Sequence, residues 1–131
     1  MILDRSAIEA AQDIPTEDVL VPQWGGTVRL RGLTGSQRDA YEASVVEMRG
    51  ETRRYKLQNL RARLVALCLI DEEGNLLFSD DAAVKSLGQK SAQALDMLFA
   101  KARKLSGLSE DDIEELAEDF DDAQSDEAGS D

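Results

Sequence analysis

The feature that most constrains the fold is a pair of glycines, Gly25 and Gly26, between two short runs of alternating apolar residues. Tight hairpin turns favour glycine at both central positions, because their backbone needs positive φ angles there. We therefore predict a β-hairpin over about residues 18–32, with a two-residue turn that pairs Trp24 with Thr27. A lone hairpin is marginally stable in water, so helices from the rest of the chain must pack on it.

The alternation gives this hairpin an inner face for the core and an outer face with a different character. The inner face carries Val19, Val21, Gln23, Val28 and Leu30, and the outer face carries Leu20, Pro22, Trp24, Thr27, Arg29 and Arg31. Pro22 cannot donate to a sheet, so its strand is expected at an edge. Trp and Arg are enriched in interface hot spots, which makes the outer face a candidate for binding a partner. The alternative is that Trp24 folds over the chain's own helices.

Helical patterns account for most of the chain beyond the hairpin. Thr34 and Gln37 have the spacing of a capping box, which opens a helix predicted to end near residue 49. A helix predicted at 52–70 is the central buried element, because its last seven residues include no polar side chain. Shorter helices are predicted at 4–12, near 81–88 and at 91–105. The predicted fold is mainly α (α+β): a compact helical domain of four to six helices with a small N-terminal β-hairpin.

The net charge of −12 is distributed unevenly along the chain. Residues 1–107 hold 15 acidic and 15 basic side chains, whereas residues 108–131 hold 12 acidic side chains and no basic ones. We predict a helical domain at 1–107, an acidic amphipathic helix at 108–120 and a disordered acidic tail at 121–131. The apolar stripe of that helix either packs on the body or docks on a partner or a second copy. It consists of Ile113, Leu116, Ala117 and Phe120.

A basic group lies in and just before the helix predicted at 52–70. It consists of Arg49, Arg53, Arg54, Lys56, Arg61 and Arg63. Nucleic-acid binding is disfavoured, because a chain with a pI near 4.4 repels phosphate at longer range. We expect a solvated helix face, or else contact with the acidic segment 108–120 of the same or another molecule. Arg53 and Arg54 are therefore further candidates for binding a partner.

The residue content argues against catalysis. The chain has no histidine, so it lacks the commonest general base and the commonest metal ligand. Cys68 lies within an apolar run and is expected to act as a small buried hydrophobe. We therefore predict a protein that is not an enzyme and that uses no cofactor and no metal. No apolar run approaches the ~18 residues of a membrane span, and residues 1–4 do not have the pattern of a secretory signal, so no membrane partner is expected.

The segment VPQWGGTVRLRGLTG, the helical QRDAYEA that follows it and the later IDEEGNLLF together resemble the tail assembly chaperones of long-tailed (siphovirus-type) phages and prophages. The resemblance covers about residues 1–107. It implies a protein that binds and solubilises the tape-measure protein in the host bacterial cytoplasm, helps recruit tail-tube subunits and is absent from the mature virion. It also implies a longer form, made by ribosomal frameshifting, that engages the tail-tube protein.

The physical features of the chain are consistent with this resemblance. A chaperone for a long partner needs repeated weak contacts, which predicts a homo-oligomer or a helical array. The acidic end would keep such an assembly soluble. The alternative function is that of an acidic regulatory or nucleic-acid-mimic protein that binds a DNA-binding partner. That function requires ordered surface charge, whereas the excess charge here lies in the predicted tail.

Overall fold

The computed structural model describes residues 1–49, 52–55 and 59–108. Within these ranges the chain forms five α-helices and five short strands. Their order is α1 (Arg5–Ala10), β1 (Thr16–Val21), β2 (Gly26–Arg31), α2 (Gly35–Val45), β3 (Val46–Arg49), β4 (Thr52–Tyr55), α3 (Leu60–Cys68), β5 (Leu69–Ile70), α4 (Asp81–Leu87) and α5 (Ala92–Leu105). The mainly α (α+β) prediction, with four to six helices and an N-terminal hairpin, is confirmed.

The N-terminal hairpin belongs to a three-stranded antiparallel sheet in the order β1-β2-β5. Strand β2 is central, and Ile70 of β5 forms a further bridge to Leu76 on its other side. Strand β1 therefore lies at an edge of the sheet, as predicted. Strands β3 and β4 form a separate two-stranded sheet.

The turn of the N-terminal hairpin is longer than predicted. Val21 pairs with Gly26 and Leu20 with Thr27, so the predicted pairing of Trp24 with Thr27 is wrong. Pro22–Trp24 form a 3-10 turn, which Gly25 closes in the left-handed region with a φ of 71°. Proline suits the start of such a turn because its ring fixes φ, and Pro22 therefore lies outside the strand. The pairing differs from the predicted one by an even number of residues, so each residue that remains in a strand keeps its predicted face. Gln23, predicted on the inner face, instead lies in the turn and is exposed.

Residues 46–49 and 52–55 depart most from the predicted helices. The helix predicted to reach residue 49 ends at Val45, and the helix predicted at 52–70 begins only at Leu60. Between them β3 and β4 pair in an antiparallel hairpin, with Val46 opposite Tyr55. β-branched and aromatic residues favour such pairing, whereas helix propensity is a weak prior without a face to bury. The described members of the predicted basic group are therefore divided between this second hairpin and α3, and Lys56 lies outside the described residues.

Helix α3 lies at the centre of the hydrophobic core and packs against α2, α4 and α5. Leu64, Val65 and Cys68 are fully buried, and Leu69 and Ile70 continue the buried run into β5. The predicted burial of this apolar stretch is confirmed, although Leu67 is only half-buried. The opposing side of the core comes from the inner face of the hairpin and from α5. The residues involved are Val19, Val21, Leu30, Ala94, Leu95, Leu98, Phe99 and Ala102.

Side-chain caps begin several of the helices. The Thr34 N–H donates to Oε1 of Gln37 at 2.9 Å, and the Gln37 N–H donates to Oγ1 of Thr34 at 3.1 Å, which confirms the predicted capping box. Asp80 caps α4 through the Ala83 N–H at 2.7 Å, and Ser91 caps α5. The predicted acidic helix at 108–120, with Ile113, Leu116 and Phe120, and the predicted tail at 121–131 lie outside the described residues, apart from Leu108 itself. None of the described helices is long and apolar enough to cross a membrane.

Candidate partner-binding surfaces

The outer face of the N-terminal hairpin is only partly available to a partner. Leu20 is 63% exposed on the edge strand β1, and Pro22 is exposed in the turn. An edge strand also presents unpaired backbone N–H and C=O groups. Trp24, in contrast, is half-buried and packs against the hydrophobic core. Part of the Trp24 indole is therefore already buried against the body, while Leu20 and the β1 edge face solvent.

Arg29 on this face is engaged by a neighbouring carboxylate. Its Nε lies 2.7 Å from Oδ1 of Asp18, and its Nη2 lies 3.1 Å from Oδ2. This bidentate geometry is typical of strong arginine–carboxylate pairs. The hydrogen bond from Arg29 lowers the pKa of the Asp18 carboxyl. The pair links β1 to β2 across the hairpin, so this part of the surface is close to neutral.

An open cleft of about 520 Å³ lies between this outer face and the turn that follows β5. Its lining includes Arg29 and Arg31 together with five acidic residues: Glu17, Asp18, Asp71, Glu72 and Glu73. Asp71 organises the turn, because its Oδ1 accepts the N–H groups of Glu73 and Asn75, both at 2.9 Å. These hydrogen bonds lower the pKa of the Asp71 carboxyl, and the one from the Asn75 N–H has the largest effect. The cleft carries more acidic than basic groups, so a cationic segment of a partner would suit it better than an anionic one.

The described members of the basic group, which was predicted in and just before one long helix, lie on separate elements. Arg61 of α3 pairs with Asp96 of α5 at 2.8 Å, and its guanidinium lies 5.7 Å from the centre of the Phe99 ring. Arg63 donates from Nη1 to the Ser44 carbonyl at 2.8 Å. Both arginines therefore connect α3 to neighbouring helices. Arg53 and Arg54 lie on β4 of the second hairpin, so they do not share a helix face with Arg61 and Arg63.

An apolar groove of about 230 Å³ lies between α2, α3 and residues 76–84. Its lining includes five apolar or aromatic residues, Tyr41, Leu67, Leu76, Phe78 and Val84, and three charged ones, Arg63, Asp80 and Asp81. The sequence did not reveal this groove, because its lining comes from three separate segments. The apolar run Leu76-Leu77-Phe78 was the only local signal, and Leu77 is 51% exposed beside it.

Residues 1–13 form an exposed N-terminal arm, another surface that the sequence reasoning did not single out. Helix α1 begins at an N-cap, where the Ala7 N–H donates to Oδ1 of Asp4 at 2.9 Å. None of its residues is buried, although a helix this short was expected to need packing. The arm exposes four large apolar side chains: Met1, Ile2, Leu3 and Ile8. Their clustering near the start of the chain is the signal that could have identified it.

Cys68 is buried, as expected of a small hydrophobe, and its Sγ lies 3.8 Å from Oγ of Ser106. Burial raises the pKa of the thiol to about 11. The thiolate is the nucleophilic form, so this thiol is unreactive near neutral pH. Within the part of the chain that the structure describes, no group of three or more acidic or cysteine side chains is arranged to hold a metal ion.

Comparison with known proteins connects this fold to one family. The family model of the phage tail assembly chaperone matches residues 3–126. Among solved structures, the fold is similar to that of the bacteriophage HK97 tail assembly chaperone, with a TM-score of 0.51 and 20% sequence identity over 76% of this chain and 94% of that chain. No curated protein matches the chain significantly. The family match spans nearly the whole sequence, so the chain belongs to the phage tail assembly chaperone family and has a role in phage tail assembly.

Proposed function

We propose that this protein binds the tape-measure protein during tail assembly, keeps it soluble and helps recruit tail-tube subunits around it. The observation that carries the proposal is the family match over residues 3–126. The protein would act in the host bacterial cytoplasm and be absent from the mature virion. This role requires binding surfaces and no catalytic group.

The outer face of the N-terminal hairpin supports binding to a partner protein. Leu20 places an exposed apolar side chain on an edge strand, next to backbone groups that a partner strand could satisfy. One such patch is small, so a single copy would bind weakly. A long partner can engage many copies at once, and linked weak contacts then give strong overall binding. We therefore propose that several copies act together on one tape-measure protein, as a homo-oligomer or a helical array.

The acidic end of the chain supports the solubilising part of the proposal. Residues 108–131 carry 12 acidic side chains and no basic ones. Acidic side chains are effective at keeping proteins soluble, and an array of copies would concentrate them around the partner. We further propose that contact with the tail-tube protein is made through this end, or through a frameshift-extended form of it.

Co-expression with the tape-measure protein tests the proposal. The soluble fraction of the tape-measure protein, and its recovery with this chain in a pull-down, should both rise when the chain is present. Leu20→Glu should reduce both readouts, because it places a charge on the exposed apolar patch. Gln93→Glu is the matched control, since Gln93 is exposed in the first turn of α5, outside the hairpin.

Two results would contradict the proposal. One is an insoluble tape-measure protein whether or not the folded chain is present. The other is stoichiometric recovery of the chain in purified virions, measured by mass spectrometry, because a protein that only assists assembly should not remain in the particle.

A further inference from the structure

We propose that the N-terminal arm, residues 1–13, docks into the apolar groove of a second copy of this chain, with Leu3 and Ile8 as its anchors. The inference rests on the proposed function in one respect, namely that copies of the chain act together. It adds which segment and which groove form one of the contacts between them.

The local structure of the arm is well specified, but no part of the described body covers it. Asp4 caps α1, and Leu3 and Ile8 occupy the two positions of a hydrophobic staple around that cap. Both staple residues remain exposed, at 57% and 61%. Isolated helices shorter than about 12–15 residues are marginal in water, and α1 has only six residues. The arm therefore has a preformed apolar pair, and covering that pair would stabilise the helix.

The apolar groove has the dimensions and lining to receive such a pair. Its volume of about 230 Å³ is below the ~300–1,000 Å³ typical of small-molecule sites. Tyr41, Leu67, Phe78 and Val84 form an apolar wall from three segments of the body. A short helix that places a few apolar anchors in a groove is a recurring mode of recognition between proteins. The groove is thus suited to a few side chains of a helix rather than to a cofactor.

The topology of the sheet favours a second copy as the acceptor. The arm runs directly into β1, at one edge of the sheet. Leu76 of the groove lies beyond β5, at the opposite edge. Three strand spacings, about 14 Å, separate these two edges. A donor segment and an acceptor groove on opposite sides give a head-to-tail contact, which propagates from copy to copy into a ring or an open filament.

The charged side chains of α1 are already engaged within the arm. Nε of Arg5 lies 2.7 Å from Oε1 of Glu9, one helical turn further on. The arm therefore offers the groove its apolar side chains, and salt should have little effect on this contact.

Cross-linking between two single-cysteine-substituted variants tests the contact directly. Ile8→Cys and Ala40→Cys, the latter on an exposed groove residue of α2, should cross-link to each other when mixed with a short bismaleimide. Native Cys68 is buried, so the unsubstituted protein serves as the blank. Ser6→Cys on another side of α1 and Ala82→Cys on an exposed part of α4 outside the groove are the matched controls, and both should cross-link weakly.

The cross-linking outcomes distinguish a groove filled by the arm of a second copy from one filled by the arm of the same chain. The arm is long enough to reach the groove of its own chain, since an extended chain spans about 3.3 Å per residue. A cross-link formed only within molecules that carry both cysteines would place the arm in its own groove and overturn the proposal. A mixture that gives no cross-link between Ile8→Cys and Ala40→Cys, or only cross-links between two arms, would overturn it as well.

Sedimentation velocity over a range of concentrations provides an independent readout. The wild type should show concentration-dependent association, and the double substitution Leu3→Glu with Ile8→Glu should remove it. Circular dichroism should show a folded body, because neither residue is buried. Ser6→Glu is the charge control and should sediment like the wild type. A double variant that associates as strongly as the wild type would refute the docking of the arm.

The same variants distinguish this inference from the proposed function. If the wild type solubilises the tape-measure protein and self-associates, and the double variant does both equally well, the inference fails and the proposed function stands. If the arm mediates association but the tape-measure protein stays insoluble, the proposed function fails and the inference stands.

Discussion

The backbone carbonyl of Leu105 occupies the space where a side chain at Gly32 would begin. Next to this contact, the Leu33 N–H donates to Oγ of Ser106 at 3.0 Å. Together the two contacts hold the end of the N-terminal hairpin against the last turn of α5. These contacts between residues far apart in the sequence therefore set the position of the edge strand β1 relative to the helical body.

Gly32→Ala should lower the free energy of unfolding by about 1–3 kcal/mol, because the added methyl group cannot fit without moving the backbone of α5 or the hairpin. Urea denaturation followed by circular dichroism measures the change. Gly35→Ala is the control, since a Cβ at that position meets no atom within 4 Å. Equal stability of the two variants would show that the hairpin does not dock on α5 in this way.

Thr34→Ala should destabilise the protein by about 1 kcal/mol, because it removes the oxygen that accepts the Gln37 N–H at the start of α2. Thr34→Ser keeps that oxygen and should retain most of the stability. The comparison uses the midpoint of chemical denaturation for the two variants. A serine variant as unstable as the alanine variant would indicate that the methyl group of Thr34, rather than the cap, matters.

The stability of the protein should fall at alkaline pH. Burial raises the pKa of Cys68 from an ordinary value of 9 to about 11, and that of Tyr41 from 10 to about 12. The unfolded chain therefore releases these protons at lower pH than the folded chain does. The contribution of the two protonated groups to the free energy of unfolding is fully present below about pH 9. It is lost between pH 9 and 11 for Cys68 and between pH 10 and 12 for Tyr41, at up to ~1.4 kcal/mol per pH unit for each group.

Unfolding free energies measured at a series of pH values from 8 to about 11 check this expectation. Cys68→Ala should have a shallower decline than the wild type between pH 9 and 11. An unchanged slope in this variant would mean that the Cys68 thiol does not contribute. A thiol reagent provides a second check at pH 8, where it should label Cys68 in denaturant and leave the folded protein unlabelled.

Leu20 and Trp24 should respond differently to substitution, although the alternation of the strands puts them on the same predicted face. Leu20→Glu should weaken binding of the tape-measure protein and leave this protein folded, because Leu20 is mostly exposed. Trp24→Ala should lower the stability by roughly 1–3 kcal/mol, because the indole packs partly on the core. Pull-down of the tape-measure protein and denaturation together separate the two effects. Unchanged recovery of the tape-measure protein with Leu20→Glu would remove the hairpin face from the contact with that partner.

Features that depend on nearby residues were readable from the sequence. The capping box of Thr34 and Gln37 forms as predicted, since it needs only two side chains three positions apart. The inner face of the hairpin is buried at Val19, Val21 and Leu30 because strand alternation alone assigns those faces. The apolar stretch around Cys68 is buried for an equally simple reason, since a segment without polar side chains is most stable away from water.

The register of the N-terminal hairpin and the strand structure of residues 46–49 and 52–55 were decided by the tertiary structure. Gly25 and Gly26 permit several turns, and the turn that forms is the one in which Pro22 leaves the strand and Trp24 packs on the core. Residues 46–55 have no continuous apolar face, so neither helix nor strand is strongly favoured locally. There the pairing of β3 with β4 prevails over the predicted helices.

The sequence by itself determined the capping box of α2, the faces of the residues that remain in the hairpin strands, the buried centre of α3 and the family signature, because each of these depends on residues close together in the chain. Only the tertiary structure decided which surfaces remain open. The apolar groove needs α2, α3 and residues 76–84 to meet, and the arm is a candidate donor because nothing in the described body covers Leu3 and Ile8. Contacts between distant segments depend on the packing of the whole domain, which local patterns do not specify.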